Sequence, residues 1–199
     1  DLYLILAQFS MQQGDIQQAR EILLESRENN PDKIQPLLNL AELQHSVNQK
    51  EEALDYLQQA EQQFPEDIRP PKKLASLYYQ KGETEKADTR IKKVLDENRN
   101  DVDMLILKAR RDLQKREFES AQAALERAIE QQPQNADAHF YLALAYFGQG
   151  KKVLGEDSLR VALNKDPDHI RANLLQAERL LRQEDLSSAE KHCRKALEK

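Results

Sequence analysis

Residues 124–150 read ALERAIEQQPQNADAHFYLALAYFGQG, and Pro133 in this stretch separates two segments that both have the apolar spacing of a helix. Prolines also occupy positions 31, 65 and 167, so these four prolines are separated by 34, twice 34 and 34 residues. Proline lacks a backbone N–H donor and is excluded from helix interiors. The spacing therefore predicts a repeat of 34 residues, with Pro133 at the junction between two repeats.

Small residues recur at the same interval along the whole chain. When Ile34 is counted as position 1 of a repeat, position 8 is alanine six times: Ala7, Ala41, Ala75, Ala109, Ala143 and Ala177. Position 20 is equally regular: Ala19, Ala53, Ala87, Ala121, Gly155 and Ala189. Small side chains at both positions let two helices approach at the short end of the usual distance of about 8–10 Å. Each repeat is predicted to hold two closely packed helices, A and B.

Position 15 marks the end of helix A. It is Gly14, Gly82 and Gly150 in three repeats and Asn48 in another, and these residue types readily adopt the left-handed conformation that ends a helix. The pattern runs through the chain without insertion. It predicts a single domain, 1–199, made of repeats 1–33, 34–67, 68–101, 102–135, 136–169 and 170–199.

Composition and charge exclude several functional classes. The chain of 199 residues is 33% charged, with a net charge of −5 and a mean hydropathy of −0.83. An acidic balance argues against nucleic acid, whose protein partners carry basic faces. No apolar run approaches the roughly 18 residues of a membrane span, so we expect no direct membrane insertion by this segment. The lone Cys193 excludes an intramolecular disulfide and leaves the compartment open between cytoplasm and periplasm.

No catalytic or metal-binding motif is present in the sequence. Residues 148–152 read GQGKK, but a phosphate-binding loop would need glycine at Ala145 and Ser or Thr at Lys152. The four histidines are scattered, and no H-E-x-x-H or C-x2-C pattern accompanies them. We therefore predict a protein that is not an enzyme and has no catalytic residue, no cofactor and no metal.

A 34-residue period with small residues at positions 8 and 20 and proline at position 32 resembles the tetratricopeptide repeat family. The resemblance covers essentially the whole chain, and the insertion-free, Gln-rich repeats look like those of long bacterial members. It implies an all-α, right-handed superhelical solenoid of antiparallel helix pairs, and a scaffold that binds a protein or peptide ligand in a concave groove. Two alternatives stay open: a substrate-recruiting arm of a larger multidomain enzyme, and a module that self-associates as a homo-oligomer through exposed terminal repeats.

The resemblance also implies which residues bind the ligand, because helix A lines the concave face in this family. The predicted peptide-binding residues form a basic zone and an apolar zone, and they are Asn39, Arg69, Lys72, Lys73, Tyr79, Ile106, Arg110, Leu113, Phe140, Leu144 and Phe147. Three of these, Phe140, Leu144 and Phe147, share one helical face and are called the apolar strip below. We expect the strip to be exposed and to hold apolar anchors of the ligand. The alternative is that neighbouring A helices cover it.

Some members of the family hold a peptide carboxylate in a clamp of polar residues from three repeats. Asn39 matches the asparagine of the second repeat, and Arg69 and Lys73 match the basic pair of the third with the two types exchanged. The first repeat has Leu4 and Gln8 where lysine and asparagine belong. The match favours a looser site for an acidic peptide over the complete clamp.

Two departures from the pattern carry expectations of their own. Lys108 and Asp112 are four residues apart and are expected to pair on one face of a less buried repeat 4. Gly155 stands where the other repeats have alanine, and it is expected to weaken its helix by about 1 kcal/mol.

Overall fold

The computed structural model describes residues 2–197, and every regular element in this part of the chain is an α-helix. The helices are α1 (Leu2–Gln12), α2 (Ile16–Asn29), α3 (Gln35–Ser46), α4 (Lys50–Gln63), α5 (Arg69–Lys81), α6 (Thr84–Glu97), α7 (Val102–Gln114), α8 (Phe118–Gln131), α9 (Ala136–Gly148), α10 (Lys152–Lys165), α11 (Ile170–Arg182) and α12 (Leu186–Leu197). Odd-numbered helices are the predicted A helices and even-numbered helices are the B helices. These helices, in six pairs along residues 2–197, confirm the all-α helical solenoid.

The turn between helices A and B has the same backbone conformation in all six repeats. Gly14, Gly82 and Gly150 have φ values between 76° and 81°, as position 15 predicts. Asn48, Arg116 and Glu184 occupy the same position with φ between 62° and 64°. The left-handed turn is therefore kept even where the side chain disfavours it.

The alanine positions are buried as predicted, because their methyl groups lie where the two helices of a pair are closest. Every alanine at positions 8 and 20 is at most 2% exposed.

The chain consists of two compact units, unit 1 (Asp1–Val94) and unit 2 (Leu95–Lys199). Two apolar clusters form the core of unit 1. One is built around Leu23, Leu40 and Leu43, and the other around Leu57 and Leu74.

Helix α1 of unit 1 has apolar side chains that this core does not cover. Four large ones are 44–70% exposed: Leu2, Ile5, Leu6 and Phe9. They recur at helical spacing on one side of α1, which has no charged residue along its length. We call them the α1 apolar face.

Unit 2 has a single core cluster that extends from α7 to α11, with Leu105, Leu125 and Leu159 among its fully buried members.

Repeat 4, within unit 2, contains the predicted ion pair, with 2.5 Å between Lys108 Nζ and Asp112 Oδ2. The hydroxyl of Ser120 on α8 lies 2.8 Å from that ammonium and donates to the same carboxylate at 2.7 Å. The expectation of a less buried repeat is wrong for Asp112, which is buried. Its charge is stabilised there by both groups.

Within residues 2–197, none of the helices has the length and hydrophobicity of a membrane span.

Candidate functional site

The predicted binding residues fall in both units. Asn39, Arg69, Lys72, Lys73 and Tyr79 lie on α3 and α5 of unit 1, and the remaining six lie on α7 and α9 of unit 2.

Arg69 is the centre of the polar residues in unit 1. Its guanidinium forms a fork on Asp67, with donor–acceptor distances of 2.7–3.1 Å. Its Nη1 also donates to the Gln35 side-chain oxygen at 3.1 Å, and the Gln35 amide donates in turn to Asn39 Oδ1 at 2.8 Å. The hydrogen bond from Arg69 lowers the pKa of Asp67, so the fork is fully ionised at neutral pH. A continuous chain of polar groups thus connects α3 with the start of α5.

Asn39 is the buried end of this chain. It is only 7% exposed, and its Nδ2 has no hydrogen-bond partner among the described residues. Lys73, one helical turn beyond Arg69, approaches Glu42 with 3.4 Å between ammonium and carboxylate. Asn39, Arg69 and Lys73 are therefore brought together with Gln35, Glu42 and Asp67, and we call these six residues the unit 1 polar cluster.

Lys72 and Tyr79 are half-buried on the same helix, and Tyr79 packs against the core. Sequence reasoning missed the partners that neutralise the basic residues. Asp67 stands two residues before Arg69, so a short-range pair could have been considered. Gln35 and Arg69 occupy the same position of consecutive repeats, and the packing of these repeats brings their side chains into contact.

In unit 2, two guanidinium groups lie close to the Tyr141 ring. Arg110 Cζ is 5.5 Å and Arg171 Cζ 5.2 Å from the centre of its ring, distances suited to cation–π attraction. Arg171 also donates to the Tyr141 hydroxyl and, at 3.2 Å, to Asp137 Oδ1. The hydrogen bond from His169 and the charges of the two arginines lower the pKa of Asp137 against the effect of burial. Arg110 thus lies beside a cluster that the sequence did not predict, formed by Asp137, Tyr141, His169 and Arg171.

The apolar strip is not the exposed surface that the sequence predicts. Phe140 is 5% exposed and belongs to the core of unit 2. Its ring packs edge-on against Tyr141 at 5.1 Å and lies 5.2 Å from the His169 ring. The expected exposure of the strip is therefore wrong for Phe140, because α9 and the first turn of α11 enclose it.

Phe147 and Leu144 are half-buried rather than exposed. The Phe147 ring lies against Gly155 of α10, where a Cβ atom would come within 2.4 Å of ring carbons. Arg179 of α11 covers the ring, with Cζ 4.1 Å from its centre. Ile106 and Leu113 are also half-buried and pack against the same core.

The exposed apolar side chains of the A helices in unit 2 lie instead on α11. Leu174 and Leu181 are each 50% exposed. The two residues are seven apart in the sequence and share one helical face.

No group of three or more His, Cys, Asp or Glu side chains in residues 2–197 could hold a metal ion. Cys193 is a half-buried free thiol on α12. The unit 1 polar cluster consists of ion pairs and amides, an arrangement suited to binding charged or polar groups of a ligand.

Sequence comparisons identify one family over most of the chain. Family models described as "Tetratricopeptide repeat" match residues 10–67, 48–110 and 106–170. A search of curated proteins finds no match.

Solved structures give the same fold. A tetratricopeptide repeat protein from Parabacteroides merdae ATCC 43184 superposes with a TM-score of 0.80 at 20% identity, over 98% of this chain and 77% of the other. PilF of Pseudomonas aeruginosa gives 0.80 at 16% identity, over 96% and 87% of the two chains. YrrB, described as a TPR protein with an unusual peptide-binding site, gives 0.70 at 17% identity, over 89% and 91%. At such identities the likeness shows the fold alone.

Proposed function

The chain belongs to the tetratricopeptide repeat family, and from this premise we propose that it binds a segment of a partner protein along its A helices. Members of this family are generally non-catalytic scaffolds, since stacked helix pairs present an extended surface. The ligand that best suits unit 1 is an acidic polypeptide segment. It would contact the unit 1 polar cluster.

The buried amide of Asn39 carries this proposal. One of its two polar groups is used by Gln35, while Nδ2 is buried without a partner among the described residues. An unsatisfied buried donor costs about 1–3 kcal/mol. A ligand carbonyl or carboxylate that reaches this NH₂ group would recover part of that cost.

The charges around Asn39 favour an anionic ligand and limit its affinity. The side chains of Arg69 and Lys73 are nearly half exposed, so both cations can be reached from solvent. Each is partly neutralised by its own carboxylate, Asp67 or Glu42. A ligand carboxylate has to compete with these groups, which favours a segment with several acidic residues over a single one.

The other residues of the proposed surface are secondary. Lys72 and Tyr79 extend it along α5, and Ile106, Arg110, Leu113, Leu144 and Phe147 are proposed contacts for a ligand bound to unit 2. Phe140 is left out because it is buried. Leu174 and Leu181 replace it as the exposed apolar groups.

Reversing the charges of Arg69 and Lys73 in the unit 1 polar cluster is expected to weaken the binding of an acidic probe. The probe is a fluorescein-labelled oligoglutamate peptide with a free carboxyl terminus, titrated by fluorescence anisotropy. The Arg69→Glu, Lys73→Glu variant should bind at least about tenfold more weakly, a change of about 1.4 kcal/mol. Asp67→Asn should strengthen binding, because it releases the guanidinium fork.

A charge-matched variant provides the control. Lys50→Glu with Lys92→Glu changes the net charge equally at exposed positions on the B helices α4 and α6, which contribute no residue to the polar cluster. Equal weakening in both double variants would mean that the peptide senses only net charge, and the proposed site would be rejected.

A second proposal is self-association, and the α1 apolar face supports it. Its four side chains are exposed on a helix without charges, so two copies can pair face to face without repulsion. Such an exposed apolar patch is typical of an interaction surface.

Sedimentation velocity at several protein concentrations tests this proposal. The sedimentation coefficient of the parent chain should increase with protein concentration, whereas the Ile5→Lys, Phe9→Lys variant should remain monomeric. Val153→Lys with Leu186→Lys is the matched control, since both residues are about as exposed but lie outside α1. A monomeric parent chain, or equal effects of the two variants, would contradict self-association through α1.

A further inference from the structure

A groove on unit 2 lies outside the surface proposed above. It is lined by α8, α9 and α10, and α9 contributes His139, Leu142 and Tyr146 to it. These three residues share one face of α9. At roughly 100° per residue, that face is rotated by roughly 130° from the apolar strip. A ligand in this groove would therefore contact a different side of α9 from a ligand on the A helices.

The floor of the groove is apolar. Ile129, Leu142, Leu154 and Val161 line it from all three helices. Leu142 is buried and forms a fixed base, whereas Leu154 is 46% exposed. An aliphatic side chain of a ligand placed here would remove the exposed part of Leu154 from water, which favours binding.

The rim of the groove is acidic on both sides. Glu126 and Glu130, one helical turn apart, contribute carboxylates from α8, and Asp157 contributes one from α10. No lysine or arginine is found among the described residues that line the groove. All three carboxylates are exposed, and each can accept further hydrogen bonds.

The contacts of the rim preserve its negative potential. Among the described residues, Glu126 accepts hydrogen bonds from two neutral donors, the Gln122 amide at 2.7 Å and the Tyr146 hydroxyl at 3.3 Å. Burial and then the negative charge of Glu126 raise the pKa of Tyr146. Asp157 pairs with Arg160 at 2.8 Å, but both side chains are more than half exposed, so this pair is weak.

We propose that the groove between α8 and α10 binds a segment of a partner protein whose apolar side chains are flanked by lysine or arginine. Charge complementarity selects this ligand, because carboxylates border the apolar floor on both sides. An acidic segment, the ligand proposed for unit 1, would be repelled here. The two surfaces of the chain therefore bind partners of opposite charge.

Reversing the charge of the two rim carboxylates on α8 tests whether the groove binds such a segment. The probe is a fluorescein-labelled amphipathic peptide made only of leucine and lysine, titrated against the full chain of 199 residues at low and at physiological salt. Glu126→Lys with Glu130→Lys should weaken binding at least about tenfold at low salt. Leu154→Ser should weaken it about fivefold at both salt concentrations, because it removes apolar contact and no charge.

The control pair is Glu97→Lys with Glu184→Lys, which makes the same change of net charge at exposed residues of unit 2 outside the groove. It should bind the peptide within about twofold of the parent chain. Circular dichroism tests whether each variant is folded. If the Glu126→Lys, Glu130→Lys variant does not fold, Leu154→Ser still tests the groove.

Three results would overturn the proposal. One is the absence of peptide binding by the parent chain, and another is equal weakening by the rim pair and the control pair. The third is a change in sedimentation of the peptide-free protein that is confined to the rim pair, which would make a second copy of the chain the occupant. Weakening confined to the rim pair and Leu154→Ser would establish the groove.

Discussion

Replacing Phe140 and Phe147 together by alanine is expected to lower the free energy of unfolding of unit 2 by about 3–5 kcal/mol or more. Phe140 alone accounts for most of this loss, because its ring is 5% exposed and contacts the rings of Tyr141 and His169. Removing Phe147 opens a gap above Gly155 and also takes away the ring that Arg179 covers. Denaturant unfolding followed by circular dichroism measures the effect.

Leu181→Ala is the matched control for this variant. Leu181 occupies in repeat 6 the position that Phe147 occupies in repeat 5, but it is half exposed. Its truncation should change the stability by less than about 1 kcal/mol. If the double variant lost less than the control, the two rings would not belong to the core, and the strip would be an exposed surface after all.

The sequence predicted the helices correctly but not the burial of the apolar strip, and the two outcomes have different physical causes. Positions 8, 15 and 20 depend on local geometry: a close helix contact tolerates only a small residue, and a left-handed turn favours glycine. Such constraints repeat every 34 residues and are visible directly in the sequence. Arg116 and Glu184 extend the turn to repeats where the residue type alone would not predict it.

The predicted exposure of the apolar strip was wrong because exposure depends on neighbouring helices and not on local geometry. Helix α9 is apolar on nearly all sides, from Phe140 to Phe147 without a charged residue. A helix of this kind is buried from several directions, and periodicity then gives no exposed face. Whether Phe140 contacts a ligand or the core depends on α11, whose Arg171, with the preceding His169, covers it.

The unit 1 polar cluster was predicted in part. The residue types and positions of Asn39, Arg69 and Lys73 are in the sequence. In the structure Gln35 connects Asn39 with Arg69, and Lys73 pairs with Glu42. The burial of Asn39 and the competition from the neighbouring carboxylates were not predicted. They depend on side-chain conformations between neighbouring repeats, and these determine how much of a positive charge is available to a ligand.

Gly155→Ala is expected to destabilise unit 2 by about 1–3 kcal/mol, although alanine is the better helix former by about 1 kcal/mol. The sequence predicts that this glycine weakens α10, because five other repeats have alanine at its position. In the structure the missing Cβ makes room for Phe147, whose Cδ1 and Cε1 would be 2.4 Å from it. An added methyl group has to displace the ring from beneath Arg179, and the loss of that packing outweighs the gain in helix propensity.

A double-mutant cycle separates these two contributions to the free energy of unfolding. In a Phe147→Ala background the ring is absent, so Gly155→Ala should now stabilise the protein by about 1 kcal/mol. Ala121→Gly, at the equivalent position of α8, should cost about 1 kcal/mol and shows the ordinary effect of glycine there. Hydrogen exchange of the α10 amides should follow the same signs, since local opening of this helix exposes them. If Gly155→Ala stabilised the protein in the presence of Phe147, the packing of the ring would not require glycine at position 155. If instead the effect of Gly155→Ala on the free energy of unfolding changes sign when Phe147 is removed, the ring and the glycine form one packing unit.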